Sequence, residues 1–414
     1  MTSRSGRLIG LLAVVALVVA ACGDGDGEGT TDGDTRTVIR FAFAPDPVWD
    51  FLNDNGHLVE WEEENNIRIV TSTTWDEFTF FAGGHGDIVS MGTLEIPVLE
   101  QETDIETVTF GKYNALRDSM MTRPDTGFET IADIPPGSTL CVASPVSATG
   151  FWAVAANQLH DLDFRVGGGD FELIVNDHFV NPQNLVDNED CVAGIFIPEA
   201  ATSYMRTGDM VVMYDGQSPF QLYNTFPGIE SDEAHIMSNL FTATEEFYDA
   251  NQEAVAAFLA LWQRGIELWE ENQAAIISTY PQHFAVESQE DIDFITEYMA
   301  GPNDWFVDSV YFTEDWVEAE QAIWDFQTEL DPDNANYVEA GFEKPRFEVI
   351  PAPEWGLTHP GAQLSPLLRR GDRPNAVGAR GVRSRRRRRR ARAEGSSPVM
   401  CGRCARPVAT APNW

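Results

Sequence analysis

Residues 37–47 read TVIRFAFAPDP, and this stretch sets the fold class. Val38 to Phe43 alternates and then stops at Ala44-Pro45-Asp46-Pro47, which is a strand running into a loop. Residues 48–64 follow with helical spacing, and Ile67 to Val70 gives a second strand. Asp87-Ile88-Val89-Ser90-Met91 is a third strand, ending in Gly92-Thr93-Leu94-Glu95, and residues 96–101 return to a helical pattern. This β-loop-α repetition is the pattern of a parallel sheet covered by helices, an α/β fold.

A second unit of the same kind starts after Asp133-Ile134-Pro135-Pro136-Gly137. Leu140 to Ala143 is a strand, residues 144–150 form a hydroxyl-rich loop, and residues 151–159 form a helix. Residues 171–175 and 192–197 are further strands, the second ending at Pro198-Glu199. Residues 210–214 lead back toward the first unit, and 235–242 read as a strand. From Thr244, a helix N-cap candidate, the chain turns helical. Val255, Phe258, Leu259, Trp262, Ile266 and Trp269 recur every three or four residues, and residues 291–299 and 315–330 repeat the amphipathic pattern. Tryptophans on such faces read as core.

The ends set the compartment. Arg4 and Arg7 precede an apolar run from Leu8 to Ala20, too short to span a bilayer comfortably. The run closes on Val19-Ala20-Ala21-Cys22, a lipobox pattern, so residues 1–21 are expected to be a lipoprotein signal peptide and Cys22 the lipid attachment point. Acylation at one residue by two or three chains anchors stably. Residues 22–36, rich in Gly and Asp, are a solvated tether. Before Arg369 the chain has 13 basic residues against 64 acidic ones, a net of −51, whereas the segment from Arg369 to Arg406 holds 14 of the 27 basic residues. The acidic body favours solubility and repels anionic polymers, and no nucleic-acid partner is expected for an exported chain. The Arg-rich segment, with its lone Cys401-Gly-Arg-Cys404, is set apart from the fold as a disordered or artefactual tail, residues 356–414.

The order of pieces resembles the type II periplasmic solute-binding proteins of ABC transporters, within the nitrate/sulfonate/taurine and thiamine-pyrimidine-precursor binding group. Ile134-Pro135-Pro136-Gly137-Ser138-Thr139-Leu140-Cys141-Val142 is similar to that group's entry into the second lobe, although the group's lysine is replaced. Asp190-Cys191-Val192-Ala193-Gly194-Ile195-Phe196-Ile197-Pro198-Glu199 resembles its D-x-x-x-A-x-x-x-x-P/E strand and turn. Ala82-Gly83-Gly84-His85-Gly86-Asp87-Ile88 resembles the step before a strand that ends on the ligand, and the helix from Asn251 to Leu259 is similar to one that follows in lobe I. The resemblance covers residues 37–330. It implies a two-lobe type II periplasmic-binding-protein fold with the ligand cleft between the lobes, lobe I being residues 37–128 and 214–350 and lobe II residues 129–213. It also implies ABC permease subunits as partners, a membrane anchor through lipid, and a monomer. Cys141 and Cys191 fall on neighbouring strands of lobe II in that arrangement; a disulfide and two buried thiols are both open.

Ligands of open α/β sheets sit beyond the carboxyl ends of the strands. The candidate ligand residues are therefore Asp46 and Trp49, Thr93 and Glu95, Ser144, Ser147 and Thr149 at a helix start, Glu199, and Asp215. Asp46 reads equally as a turn residue between two prolines, and Ser147 or Thr149 as a helix cap. None of these loops carries Lys or Arg, so a cationic or N–H-rich solute suits them better than a small anion: an amine, a quaternary ammonium, or a pyrimidine stacked on Trp49 or Trp75. His57, His85, His178 and His283 show no metal-ligand spacing, and no metal or cofactor is expected. The alternatives are a pyrimidine-synthase-like enzyme of the same fold, whose cysteine-rich motif is missing here, and a solute-sensing receptor without transport.

Overall fold

A computed structural model of the protein describes residues 36–229 and 233–353. The leader with Cys22, the tether to residue 35 and the Arg-rich tail lie outside the described residues. Two sheets divide what remains. The first contains β1 (Thr37–Phe43), β2 (Ile67–Thr73), β3 (Ile88–Met91) and β4 (Thr107–Ala115). The second contains β5 (Ser119–Thr122), β6 (Thr139–Val142), β9 (Glu172–Val175), β10 (Ala193–Phe196) and β11 (Val211–Val212), with β7 (Phe164–Arg165) and β8 (Gly168–Gly169) forming a separate hairpin. The chain then returns to the first sheet with β12 (Met237–Thr244) and β13 (Arg346–Phe347). The orders are β13-β4-β12-β3-β1-β2 and β11-β5-β10-β6-β9. β1 runs parallel to β2 and β3, and β6 runs parallel to β9 and β10. The expected α/β architecture with two lobes is therefore present.

Two crossovers join the lobes, residues 116–118 between β4 and β5 and, between β11 and β12, a return whose described residues are 213–229 and 233–236. They are bonded to each other, Leu116 N donating to the Ile236 carbonyl at 2.7 Å. β5 pairs with β10 and β11, so the chain enters the second sheet at Ser119, earlier than the expected boundary at residue 128.

The alternation in β1 buries Ile39, Phe41 and Phe43, and the two phenylalanine rings stack at 4.6 Å. The single helix expected over residues 48–64 is two, Pro47–Asp54 and His57–Asn65, broken at Gly56, whose φ of 80° is in the left-handed region. The periodic stretch after Thr244 becomes the helix Gln252–Thr279, and Thr244 caps the short helix before it by accepting from Phe247 N. Gly265 lets this long helix lie against Pro47–Asp54: a Cβ there would stand 2.9 Å from Val48 Cγ1. In the second lobe Cys141 and Cys191 form a disulfide with Cα atoms 5.8 Å apart, which resolves the alternative left open by the sequence. Among the described residues no helix is long and apolar enough to cross a membrane.

Candidate functional site

Four chain segments that leave strands at their carboxyl ends meet over one cavity of about 240 Å³ between the lobes. β1 delivers Ala44 to Pro47, and the turn after β2 delivers Trp75. β4 carries Tyr113 and Asn114 near its end at Ala115 and continues into Arg117 on the first crossover, while β10 leads to Glu199 in the second lobe. Gln282, His283, Phe284, Trp305 and Phe306 close the first-lobe side, and Phe179 closes the second-lobe side. This is the position that the strand-end rule assigns to ligands of open α/β sheets.

Asp46 is 5 % exposed and caps the helix Pro47–Asp54, its Oδ1 accepting from Val48 N at 2.8 Å and Trp49 N at 3.0 Å. Pro47 at the first helical position suits this turn, since no amide is needed there. Burial pushes the Asp46 carboxyl up to about 6; the Trp49 amide, His283, the Val48 amide and Arg117 oppose that rise. Asp46 is thus the helix cap that the sequence allowed and a wall of the cavity at once.

Arg117 is the residue that sequence reasoning missed. Its Nε donates to Glu199 Oε1 at 2.8 Å, its Nη2 donates to the same oxygen, and the guanidinium lies 4.9 Å from the centroid of Trp305. The side chains are 11 % and 5 % exposed, so this ion pair is buried and joins the first crossover to the second lobe. Burial alone would lower the Arg117 pKa, but the attraction and hydrogen bonds of Glu199 reverse the shift and raise it. Glu199 Oε2 has no partner, and neither has the buried Oδ1 of Asn114. Asn114 belongs to a chain of polar groups: its Nδ2 donates to Asn239 Oδ1, Asn239 Nδ2 donates to Ser90 Oγ, and Ser90 bonds the Tyr113 hydroxyl.

Across the mouth, Trp75 of the first lobe approaches two residues of the second. Its ring lies 5.4 Å from His178 and 6.0 Å from Phe179. Trp75 is 43 % exposed and Phe179 is 37 % exposed, large apolar surfaces left at the edge of the cavity. Burial lowers the His178 pKa, which favours the neutral ring. His283 Nε2 meets Asp50 Oδ2 at 2.7 Å. Among the described residues no group of three or more His, Cys, Asp or Glu side chains is arranged to hold a metal ion.

Of the nine ligand candidates, Asp46 and Glu199 line this cavity, and the other seven stand elsewhere. Trp49 packs in the first-lobe core against Trp262 at 5.6 Å and Phe43 at 5.3 Å. Thr93 is fully buried; its hydroxyl donates to Glu320 Oε1 and accepts from Met237 N at 2.9 Å. Glu95 folds back onto the Gly92 amide at 2.7 Å, and burial drives its pKa up to about 7. Ser144 and Ser147 precede the helix Ala148–His160 and Thr149 is in its first turn, but the start of that helix is covered by the chain itself. Asn336 Nδ2 donates to the Pro145 carbonyl at 2.9 Å, and Asn336 Oδ1 lies 2.6 Å from where a Gly150 Cβ would stand. The Ser144 hydroxyl accepts from Val146 N, and Thr149 donates to the Ser144 carbonyl at 2.5 Å. Ser147 occupies the cap position without a capping bond, and Asp215 is an exposed turn residue at φ 56°. Trp75, named only as a stacking surface for the solute, is at the cavity.

No family model matches the sequence, and no curated protein sequence does. Solved structures do match the fold. The alkanesulfonate-binding protein of Xanthomonas axonopodis pv. citri, bound to MOPS, is 11 % identical with a TM-score of 0.54, over 71 % of this chain and 93 % of that one. The periplasmic aliphatic sulphonate-binding protein of Escherichia coli is 12 % identical with a TM-score of 0.54, over 73 % and 96 %. A protein of Bordetella bronchiseptica RB50 is 14 % identical with a TM-score of 0.56, over 76 % and 95 %.

Proposed function

From a chain with the two-lobe fold of periplasmic binding proteins, we propose an extracytoplasmic, lipid-anchored substrate-binding protein of an ABC importer that captures a small polar solute, an amine or N-heterocycle, between its lobes. The fold supports the binding role, and the lipobox at Cys22 supports the anchor. The observation that carries the solute class is the charge around the cavity. Arg117 is the cation at its wall, and Glu199 already neutralises it; Asp46 remains as a carboxylate without a cation of its own. A solute with one positive charge completes that set, whereas an anion would meet Asp46 and find the guanidinium taken. The cavity is smaller than the ~300–1,000 Å³ of pockets for drug-sized ligands, which fits a compact solute. Closure of the lobes on it removes water from the pair and strengthens every contact inside, and the closed form then docks on the permease.

A thermal-shift panel on the full chain, solubilised in detergent, tests this with amines, heterocycles, betaines, sulfonates and small anions. A ligand at a hundred times its Kd adds about 2.7 kcal/mol of stability. A shift with amines or heterocycles is expected, and a shift with sulfonates or anions alone would overturn the solute class. Silence across the whole panel would overturn the binding role.

A further inference from the structure

Two buried acceptors at the cavity wall have no donor. Glu199 is 4 % exposed and Asn114 is 4 % exposed; Glu199 Oε2 and Asn114 Oδ1 accept nothing, although both residues line the cavity. A buried acceptor left without a partner carries its full desolvation cost, ~1–3 kcal/mol each. Six aromatic residues, Tyr113, Trp75, Phe179, Phe284, Trp305 and Phe306, share the wall with polar Asp46, Arg117, Asn239, Gln282 and His283. The same wall shows how a planar cation sits there. The protein's own Arg117 guanidinium faces the Trp305 ring at 4.9 Å and turns two of its N–H groups onto Glu199 Oε1, leaving the second oxygen of that carboxylate unclaimed.

We infer that the solute is a planar, N–H-donating cation, an amidinium or guanidinium, and that a quaternary ammonium is rejected. Resting on the binding-protein reading above, this narrows its solute class. The N–H groups of such a head supply Glu199 Oε2 and Asn114 Oδ1 with donors, and its face packs against the rings, with Trp75 and Phe179 reaching it from opposite lobes. A tetraalkylammonium has the charge and the apolar surface but no donor. Both acceptors then stay unpaired in the closed cleft. This is the asymmetry by which a site built for hydrogen bonds excludes an analogue that lacks them.

Titration calorimetry of the full chain in detergent tests the inference with acetamidinium, methylguanidinium, methylammonium, tetramethylammonium and methanesulfonate. Acetamidinium or methylguanidinium is expected to bind at least about tenfold tighter than tetramethylammonium, the loss that follows from leaving one buried acceptor unpaired. Asn114→Ala is expected to weaken acetamidinium about tenfold and to leave tetramethylammonium unchanged, with the thermal midpoint of the free protein as the check on folding. Equal or tighter binding of tetramethylammonium overturns the inference while leaving the cationic-solute reading in place. Binding of methanesulfonate alone, or of no cation, overturns both.

Discussion

Replacing Glu199 with leucine should cost more stability than replacing Glu199 and Arg117 together. In Glu199→Leu the guanidinium of Arg117 stays behind a wall that leaves only 11 % of its side chain exposed, with no carboxylate to meet it. The attenuation that makes surface ion pairs nearly worthless does not apply at that depth. Breaking a buried pair by removing one partner costs about 3–5 kcal/mol, mostly the penalty of the stranded charge. Trp305 is 4.9 Å from the guanidinium and returns only part of that. In Arg117→Met with Glu199→Leu the charge is gone, the methionine can follow the same path along Trp305, and stability should recover to within about 1 kcal/mol of the parent. Urea unfolding reads the difference: with an m value of ~3 kcal/mol/M the single variant's midpoint falls by about 1–1.7 M. A Glu199→Leu midpoint within experimental scatter of the parent, or a double variant no better than the single, would refute the claim that this pair is buried and mutually dependent.

Other outcomes follow from the same structure. Cys141 and Cys191 are 50 residues apart, so loss of the crosslink in Cys141→Ala/Cys191→Ala should lower stability by about 4 kcal/mol on the chain-entropy account, seen as a lower thermal midpoint; a change under about 1 kcal/mol would contradict it. Burial raises the carboxyl pKa of Asp46 to about 6, Glu95 to about 7 and Glu77 to about 8. The folded chain therefore holds protons that the unfolded chain releases in the ordinary carboxylate range. The contribution of these groups to stability should fall as pH rises from about 4 to about 8 and level off above, and Glu77→Gln with Glu95→Gln should flatten a plot of thermal midpoint against pH. Asp46→Asn keeps a good helix cap and removes the buried charge; it should match the parent's stability at pH 5, exceed it at pH 8, and bind cations more weakly at pH 8, with the binding difference shrinking at pH 5, where the parent carboxyl is mostly protonated. Trp75→Ala, at an exposed edge, should leave the unliganded midpoint within about 0.5 kcal/mol of the parent and weaken cation binding severalfold by calorimetry.

The parts of this protein that could be read from its sequence are those whose partners are close in the chain. β1 shows its two faces by alternation, the long helix shows its buried stripe, and the cap at Asp46 is written next to the amides it accepts from. β4 is different. All nine of its residues are buried, so it has no solvent face to mark it with a polar alternation. Its polar residues bond to distant partners: Thr109 to Thr242, Lys112 to Glu233 and the ring of Trp316, and Asn114, through Nδ2 alone, to Asn239. Gly111-Lys112-Tyr113-Asn114 therefore carries no local strand signal, and neither does the crossover behind it with Arg117. The buried packing of Trp49 and Thr93 was hidden for the same reason, since Trp262 and Glu320 lie more than 200 residues further on. Composition did hold one usable clue. The chain before Arg369, with 13 basic residues against 64 acidic ones, has few cations for its interior, and an arginine directly after an apolar stretch, as in Ala115-Leu116-Arg117, should be suspected of facing a buried carboxylate. Glu199, a carboxylate at a strand end, is the one Arg117 meets, so the site is not an acidic cleft alone: its guanidinium is already occupied, and Asp46 and the unpaired oxygen of Glu199 define what enters.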